Sequence, residues 1–169
     1  MFPGEQPLHR IGNRSRTRLF TPEADFPSAA ASVRYIESSA LVAALLERDA
    51  EALAEVREIG HRVTSALTFA EAMRALLRAR ESRRIGVEIE RAGLRRLRVL
   101  ERGCLAVAVS EEILARAARP FPVEPVRTLD AIHLATIEQL GEAPQLVTVV
   151  TRDARVARNA HALGYVVVP

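Results

Sequence analysis

The sequence of 169 residues has few or none of several residue types that point to particular kinds of protein. It contains one cysteine, Cys104, which excludes an intramolecular disulfide and a cysteine-based zinc cluster. Tryptophan is absent, so binding nucleic acid mainly by stacking on aromatic side chains is not expected. No apolar run approaches the ~20 residues of a membrane span, and no signal peptide is evident. These absences predict a reduced, cytoplasmic protein without membrane contact. Cys104 directly precedes the apolar run Leu105–Val109, which predicts a buried structural thiol.

Lysine is also absent, so all 24 basic residues are arginines, and the formal net charge is +3. This mild excess permits a polyanionic partner without requiring one. Between Arg74 and Arg102, ten arginines stand against four glutamates. Such a ridge would steer RNA through phosphate contacts, but a solvated helix face with Glu–Arg pairs explains the same composition equally well. The ten are Arg74, Arg78, Arg80, Arg83, Arg84, Arg91, Arg95, Arg96, Arg98 and Arg102.

Residues 1–32 differ in composition from the rest of the chain. Prolines and glycines interrupt any hydrophobic period there, and arginines are spread among polar residues. The pattern predicts a flexible leader. A short basic arm that touches RNA is the functional alternative. Residues 33–169 then form a single domain, which is long enough to bury a sizeable core.

From residue 33 onward, short β-rich runs alternate with helical patterns. This alternation argues for right-handed βαβ units and a central, mostly parallel sheet flanked by helices, which is an α/β fold. Strands are predicted at Val33–Ile36, Arg62–Ala66, Leu105–Val109, Leu146–Val150 and Tyr165–Val168. The main helices are predicted at Ala40–Arg48, Ala50–Ile59, Val87–Arg102, Glu111–Ala118, Thr128–Leu140 and Asp153–Leu163, with another that starts at Thr68.

Two of these helices have hydroxyl side chains near their predicted starts. Ser38 or Ser39 is expected to cap the helix that follows the first strand. Thr68 and Glu71 have the spacing of a capping box at the start of their helix. Capping alone would therefore account for Glu71.

Four acidic residues fall where predicted strands end or helices begin: Glu37, Glu71, Asp130 and Asp153. In a parallel sheet, the carboxyl ends of strands and the amino ends of the following helices share one edge, so these acids should converge. Clustered carboxylates repel one another unless a cation neutralises them, and an all-oxygen set suits Mg²⁺ or Mn²⁺. Such ions commonly serve phosphodiester cleavage. Alternatively, Asp130 and Asp153 are first-turn acids favoured by the helix dipole.

Four stretches in this order resemble the PIN-domain family, particularly the small ribonuclease toxins of VapBC-type toxin–antitoxin pairs. The resemblance implies a PIN-like three-layer fold and a metal-dependent endoribonuclease that hydrolyses RNA phosphodiester bonds. It also implies a cognate antitoxin as partner and a homodimer. The stretches are Tyr-Ile-Glu-Ser-Ser-Ala-Leu-Val (35–42), Thr-Ser-Ala-Leu-Thr-Phe-Ala-Glu-Ala-Met-Arg-Ala-Leu (64–76), Thr-Leu-Asp-Ala-Ile-His-Leu-Ala-Thr (128–136) and Val-Thr-Arg-Asp (150–153) with Ala-Leu-Gly (162–164).

The resemblance also assigns roles to individual residues. Glu37, Asp130 and Asp153 match the acids that hold Mg²⁺ or Mn²⁺ in the family, and Glu71 matches a further catalytic acid. The resemblance also implies that Ser39, just after the first acid, supports the site. Thr151, just before the last acid, would orient the site or touch phosphate.

His133 lies three residues after Asp130 on the same helical face, a spacing that can support metal ligation. The apolar residues Ile132 and Leu134 on either side of His133 favour a histidine that packs in the helix interface instead. No catalytic role is therefore predicted for His133.

The chain departs from the family at the first acid, where relatives usually have Asp and this chain has Glu37. Its carboxylate reaches roughly 1.5 Å further from the backbone. Because Mg²⁺ demands near-ideal octahedral geometry, the difference bears directly on activity. A second hypothesis is therefore a PIN-fold module that binds RNA or a protein partner without cleavage. A different Mg²⁺ enzyme, such as a phosphatase, is a third.

Overall fold

The computed structural model describes residues 32–47 and 49–169. The predicted leader over residues 1–32 lies outside the described residues except for Ser32, and Arg48 also lies outside them. Within the described ranges, no helix is both long enough and apolar enough to cross a membrane.

A parallel sheet forms the centre of the fold. Its strands are β1 (Val33–Ile36), β2 (His61–Ser65), β3 (Leu105–Val107), β4 (Val147–Val150) and β5 (Val166–Val168). They lie in the order β3-β2-β1-β4-β5, and every neighbouring pair is parallel. All five predicted strands are therefore confirmed, with ends that shift by one or two residues. Short β-branched runs bounded by turns explain why the sequence located them.

Helices cover both faces of this sheet, which confirms the predicted α/β fold. The helices are α1 (Ser38–Val42), α2 (Ala50–Arg57), α3 (Ala66–Glu81), α4 (Val87–Arg102), α5 (Glu111–Ala117), α6 (Thr128–Glu138) and α7 (Ala154–Ala162). A π-helical turn, Ala43–Glu47, continues α1, and a 3₁₀ turn, Pro144–Leu146, leads into β4.

The side chains of β1 alternate between two hydrophobic cores, one on each face of the sheet. Val33 and Tyr35 belong to the core that α5, α6 and α7 cover. Ile36 belongs to the other core, which receives Leu41 from α1, Phe69 from α3 and residues of α2 and α4. Because successive strand residues point to opposite faces, this central strand supplies apolar side chains to both layers.

The predicted cap of the first helix is wrong. Helix α1 begins at Ser38, one residue after the strand, and its N-cap is Glu37, whose side chain accepts a hydrogen bond from the Ser39 N–H. A helix that starts at once leaves no room for Ser38 or Ser39 to act as the cap. The predicted helix over Ala40–Arg48 is also interrupted, because α1 passes into the π-helical turn after Val42.

The predicted capping box is wrong as well. Helix α3 begins at Ala66 with Ser65 as its N-cap, because β2 ends at Ser65 and the chain turns there. Thr68 is therefore inside the helix, where it is buried and its Oγ1 lies 2.7 Å from Thr64 Oγ1. Glu71 lies in the second turn, so capping does not explain its presence.

Candidate functional site

The carboxyl end of β1 lies at the point where the order of the strands in the sheet reverses. From β1 the chain continues to β2 and β3 on one side, whereas β4 and β5 pair on the other. Ligands of open α/β sheets bind in the crevice at such a point. Glu37 directly follows β1, and its backbone N–H donates to the carbonyl of Val150 at the end of β4 (3.0 Å). Thr151 follows β4, so both residues lie at this crevice.

The carboxylate of Glu37 is buried among hydrogen-bond donors. Oε1 accepts from the Ser38 hydroxyl (2.7 Å). Oε2 accepts from the Ser39 backbone N–H (3.0 Å), from the Thr151 hydroxyl (2.9 Å) and from the Ser39 hydroxyl. Burying a charge without such partners is costly. The donors therefore fix the position of the Glu37 carboxylate.

Glu71 of α3 is held by a buried histidine from α6. His133 Nε2 lies 2.7 Å from Glu71 Oε2, and His133 Nδ1 lies 2.8 Å from the hydroxyl of Tyr35 on β1. A carboxylate oxygen only accepts, so His133 Nε2 carries the proton of its hydrogen bond to Glu71. In this tautomer of an uncharged ring, Nδ1 accepts from the Tyr35 hydroxyl. Burial and the nearby charge of Glu37 raise the pKa of Tyr35 well above its usual value, which keeps its hydroxyl a donor.

Glu37, Glu71 and His133 form one compact group at the crevice. His133 Nε2 is 3.8 Å from Glu37 Oε1 as well as 2.7 Å from Glu71. One ligand atom from each of the three residues lies within 4.8 Å of the others. Two carboxylates and an imidazole at this spacing are suited to a divalent metal ion.

Asp130 and Asp153 form a second acidic group, joined by an arginine. Arg155 Nε lies 3.2 Å from Asp130 Oδ2, and Arg155 Nη2 lies 3.7 Å from Asp153 Oδ2. Asp153 is also the N-cap of α7, where its Oδ1 accepts from the backbone N–H groups of Arg155 (2.7 Å) and Val156 (3.3 Å). The second oxygen of Asp153 thus remains directed to Arg155.

The two acidic groups influence each other electrostatically. Burial raises the pKa of the Asp130 carboxyl; the hydrogen bond from Arg155 opposes the rise, and the charges of Asp153 and Glu37 add to it. Burial is thus the largest cause of the raised pKa, and the positive charge of Arg155 opposes the two carboxylates. A divalent cation bound here would favour the charged form of Asp130.

The structure brings the predicted residues together in two sets. Glu37 and Glu71 meet through His133, while Ser39 and Thr151 bond to Glu37. Asp130 and Asp153 lie outside that compact group, and both form ion pairs with Arg155 instead.

Sequence reasoning missed the contacts of His133 and Arg155. His133 is buried, as its apolar neighbours indicated, but its ring also bonds to Glu71 and Tyr35. The three-residue spacing from Asp130 was the available signal. Nothing in the sequence distinguished Arg155 among 24 arginines.

The fold agrees with comparisons to known proteins. The profile of the PIN domain matches residues 34–162. The chain therefore belongs to the PIN-domain family. It is similar to the ribonuclease VapC46 of Mycobacterium tuberculosis H37Rv, with 40% identity over 136 residues that cover 79% of this chain and 95% of the relative. Ribonuclease VapC35 of the same species is 33% identical over 138 residues, which cover 79% of this chain and 94% of that protein.

Proposed function

We propose that this protein is a metal-dependent endoribonuclease that hydrolyses RNA phosphodiester bonds, and that it is the toxin of a type II toxin–antitoxin pair. The observation that carries the proposal is the convergence of Glu37, Glu71 and His133 at the point where the strand order reverses. The similarity to the ribonucleases VapC46 and VapC35 supports the reaction class.

In this proposal Glu37, Asp130 and Asp153 hold Mg²⁺ or Mn²⁺, and Glu71 is the fourth catalytic acid. The donor chemistry fits such an ion, because carboxylate oxygens are suited to these hard cations and the charges of Asp153 and Glu37 both act on Asp130. When bound, the ion would supply Lewis-acid stabilisation of phosphate charge and an acidified water.

Neighbouring side chains hold Glu37 and Glu71 in place. Ser39 and Thr151 hold the Glu37 carboxylate through their hydroxyl groups. His133 directs the carboxylate of Glu71 toward the crevice, and Tyr35 fixes the ring of His133. We propose Ser39 and Thr151 as supporting residues of the site and His133 as a positioning residue.

The direct test is cleavage of a structured RNA by protein stripped of metal with EDTA. Cleavage should be absent after stripping and should return when Mg²⁺ or Mn²⁺ is added. RNA binding without cleavage under both conditions would contradict the proposal and favour the binding module. Activity that resists EDTA would contradict metal dependence alone.

Replacing Glu37 by Asp is expected to lower metal-dependent cleavage by about tenfold, because donors placed around the glutamate carboxylate would no longer meet it. Single-turnover rates at saturating Mn²⁺ would measure the change. Glu138→Asp is a matched control, since Glu138 pairs with Arg116 (2.7 Å) and is the last residue of α6, at the helix end opposite Asp130. A large gain in activity in Glu37→Asp would show instead that the natural glutamate impairs the site.

Replacing Tyr35 by Phe removes the hydroxyl that bonds His133 Nδ1. We expect cleavage to fall about tenfold, because the imidazole loses the contact that fixes its tautomer and its direction toward Glu71. Tyr165→Phe is the matched control, since Tyr165 is also buried but directly precedes β5, an edge strand of the sheet. Equal rates in the two variants would show that the Tyr35 hydroxyl does not act through His133.

We propose RNA as the substrate, an antitoxin as the protein partner and a homodimer as the assembly. The hairpin of α3 and α4 supports the first two, because it exposes apolar side chains beside its arginines, among them Met73, Leu77 and Ile89. Such a surface suits an amphipathic segment of an antitoxin. Light scattering of the purified protein would measure the assembly, and a monomer would contradict the homodimer.

A further inference from the structure

Arg155 places a positive charge between the two acids that the proposed function assigns to metal binding. Its Nε lies 3.2 Å from Asp130 Oδ2 and its Nη2 lies 3.7 Å from Asp153 Oδ2. Both described ion pairs of these aspartates therefore end on one guanidinium. A guanidinium cannot lose its charge in a protein, so it offsets part of the negative charge of this pair at every pH where the protein is folded.

The position of Arg155 in α7 tethers this guanidinium to the site. Arg155 is the second residue of the helix, and its backbone N–H donates to Asp153 Oδ1 (2.7 Å). The backbone is thus held by the acid that the side chain also contacts. The side chain itself remains about 30% exposed, so its long stem has room to turn toward solvent.

A metal ion held by Oδ2 of Asp130 and Oδ2 of Asp153 would take the oxygens that Arg155 contacts. The two cations cannot share them, because they repel each other and require the same space. A divalent ion offers twice the charge, whereas the guanidinium is already present and tethered. Such a competition would give the protein two states, the described one with Arg155 on the aspartates and one with those oxygens free.

We propose that Arg155 is a tethered cation that occupies Asp130 and Asp153 in the metal-free protein and competes with the divalent metal for them. This inference rests on the proposed function, since it takes these aspartates as metal ligands. Metal binding would release the guanidinium to the open side of the crevice. A released guanidinium has the planar fork that binds phosphate in two places, so it would lie ready for the RNA backbone.

The competition predicts that removing Arg155 strengthens metal binding. The apparent affinity for Mn²⁺ is reduced in proportion to the fraction of protein in which the aspartate oxygens are free. Removing the competing guanidinium in Arg155→Met should therefore tighten Mn²⁺ binding by about tenfold. Isothermal titration calorimetry on stripped protein would measure it. Arg158→Met is the matched control, because Arg158 is an exposed arginine of the same helix. Its removal takes away the same charge and should leave the affinity nearly unchanged.

The variant Arg155→Lys separates the effect of the guanidinium contacts from the effect of the positive charge. Arg155→Lys keeps the positive charge but loses the fork, so we expect Mn²⁺ affinity between those of the natural protein and Arg155→Met. An ion pair that only supports the fold predicts weaker or unchanged Mn²⁺ binding in both variants. Either of those results would overturn the proposal.

A measurement on the unaltered protein covers the case in which Arg155→Met does not fold. In ¹⁵N-labelled protein, the Nε–H signal of Arg155 should show protection from exchange while it bonds to Asp130. Adding diamagnetic Mg²⁺ should shift this signal and remove its protection. A signal that stays unchanged while Mg²⁺ binds would overturn the inference.

These outcomes distinguish the inference from the proposed function. If the natural protein cleaves RNA with Mn²⁺ but Arg155→Met binds Mn²⁺ no more tightly, the role of Arg155 is wrong and the nuclease stands. If the natural protein does not bind Mn²⁺ at millimolar concentration and Arg155→Met does not either, both proposals fail.

Discussion

Asp130→Asn is expected to abolish metal-dependent RNA cleavage, with a rate at least about 100-fold lower. Asparagine has nearly the same shape, but it lacks the charge that would hold a divalent cation beside Glu37 and Asp153. Cleavage of a structured RNA with excess Mn²⁺ would measure the loss. Glu111→Gln is the control, because Glu111 is an exposed acid in the first turn of α5. Cleavage by Asp130→Asn at the natural rate would disprove the assignment of chemistry to this site.

The same substitution should not destabilise the metal-free protein. The pKa of Asp130 is raised in the fold, first by burial, and the charges of Asp153 and Glu37 add to it. A raised pKa stabilises the fold at pH values below the unfolded-state pKa, and this contribution is lost as the pH rises through the folded-state pKa. At neutral pH the metal-free fold therefore bears the cost of an ionised Asp130, which asparagine avoids.

Urea unfolding of the metal-free proteins would measure this difference. Asp130→Asn should be at least as stable as the natural protein at neutral pH, and its advantage should shrink as the solution is acidified. A variant that is clearly less stable at neutral pH would show that Asp130 contributes to folding through its contact with Arg155. Loss of activity together with retained stability would mark Asp130 as functional rather than structural.

Glu37→Ala is expected to lower the free energy of unfolding by about 2–4 kcal/mol, because the helix loses its cap and buried hydroxyl groups lose their acceptor. The affected donors are those of Ser38, Ser39 and Thr151. The melting temperature should fall by about 2–4 °C for each kcal/mol in a chain of this size. RNA cleavage should be lost as well.

Ser110→Ala is the matched control for this loss of stability. Ser110 caps α5 by accepting from the Ile113 N–H (3.3 Å), and it follows β3, which β2 separates from β1 in the sheet. Its removal should cost about 1 kcal/mol, which is the usual value for a cap. A loss in Glu37→Ala no larger than in Ser110→Ala would show that the buried donors find other acceptors.

The strands and the longer helices were predictable because their signals are local. β1 and β4 are short runs rich in β-branched residues, and α4 ends at Gly103 as its sequence predicts. The cap of α1 was not predictable in this way. Serines usually cap helices better than glutamate does, but β1 ends at Ile36 and the helix begins immediately, so Glu37 takes the position. Its side chain folds back to the Ser39 N–H.

The four acids of the candidate site could be selected from the sequence, whereas the contacts of its other residues could not. Glu37, Glu71, Asp130 and Asp153 could be selected because parallel strands and their following helices share an edge. The bonds of His133 depend on Tyr35 and Glu71, which are 98 and 62 residues away in the chain. Such pairings follow from the order of strands and the packing of helices, which a single sequence does not contain.

The hydrogen bond between Thr151 and Glu37 spans 114 residues and joins the ends of β1 and β4. Contacts this distant in sequence form only after the intervening chain has been closed into a loop, and they slow folding. During synthesis, Glu37 leaves the ribosome long before β4 exists. The nascent chain therefore lacks the contact between Glu37 and Thr151, and with it the assembled crevice, until β4 has been made and has paired with β1.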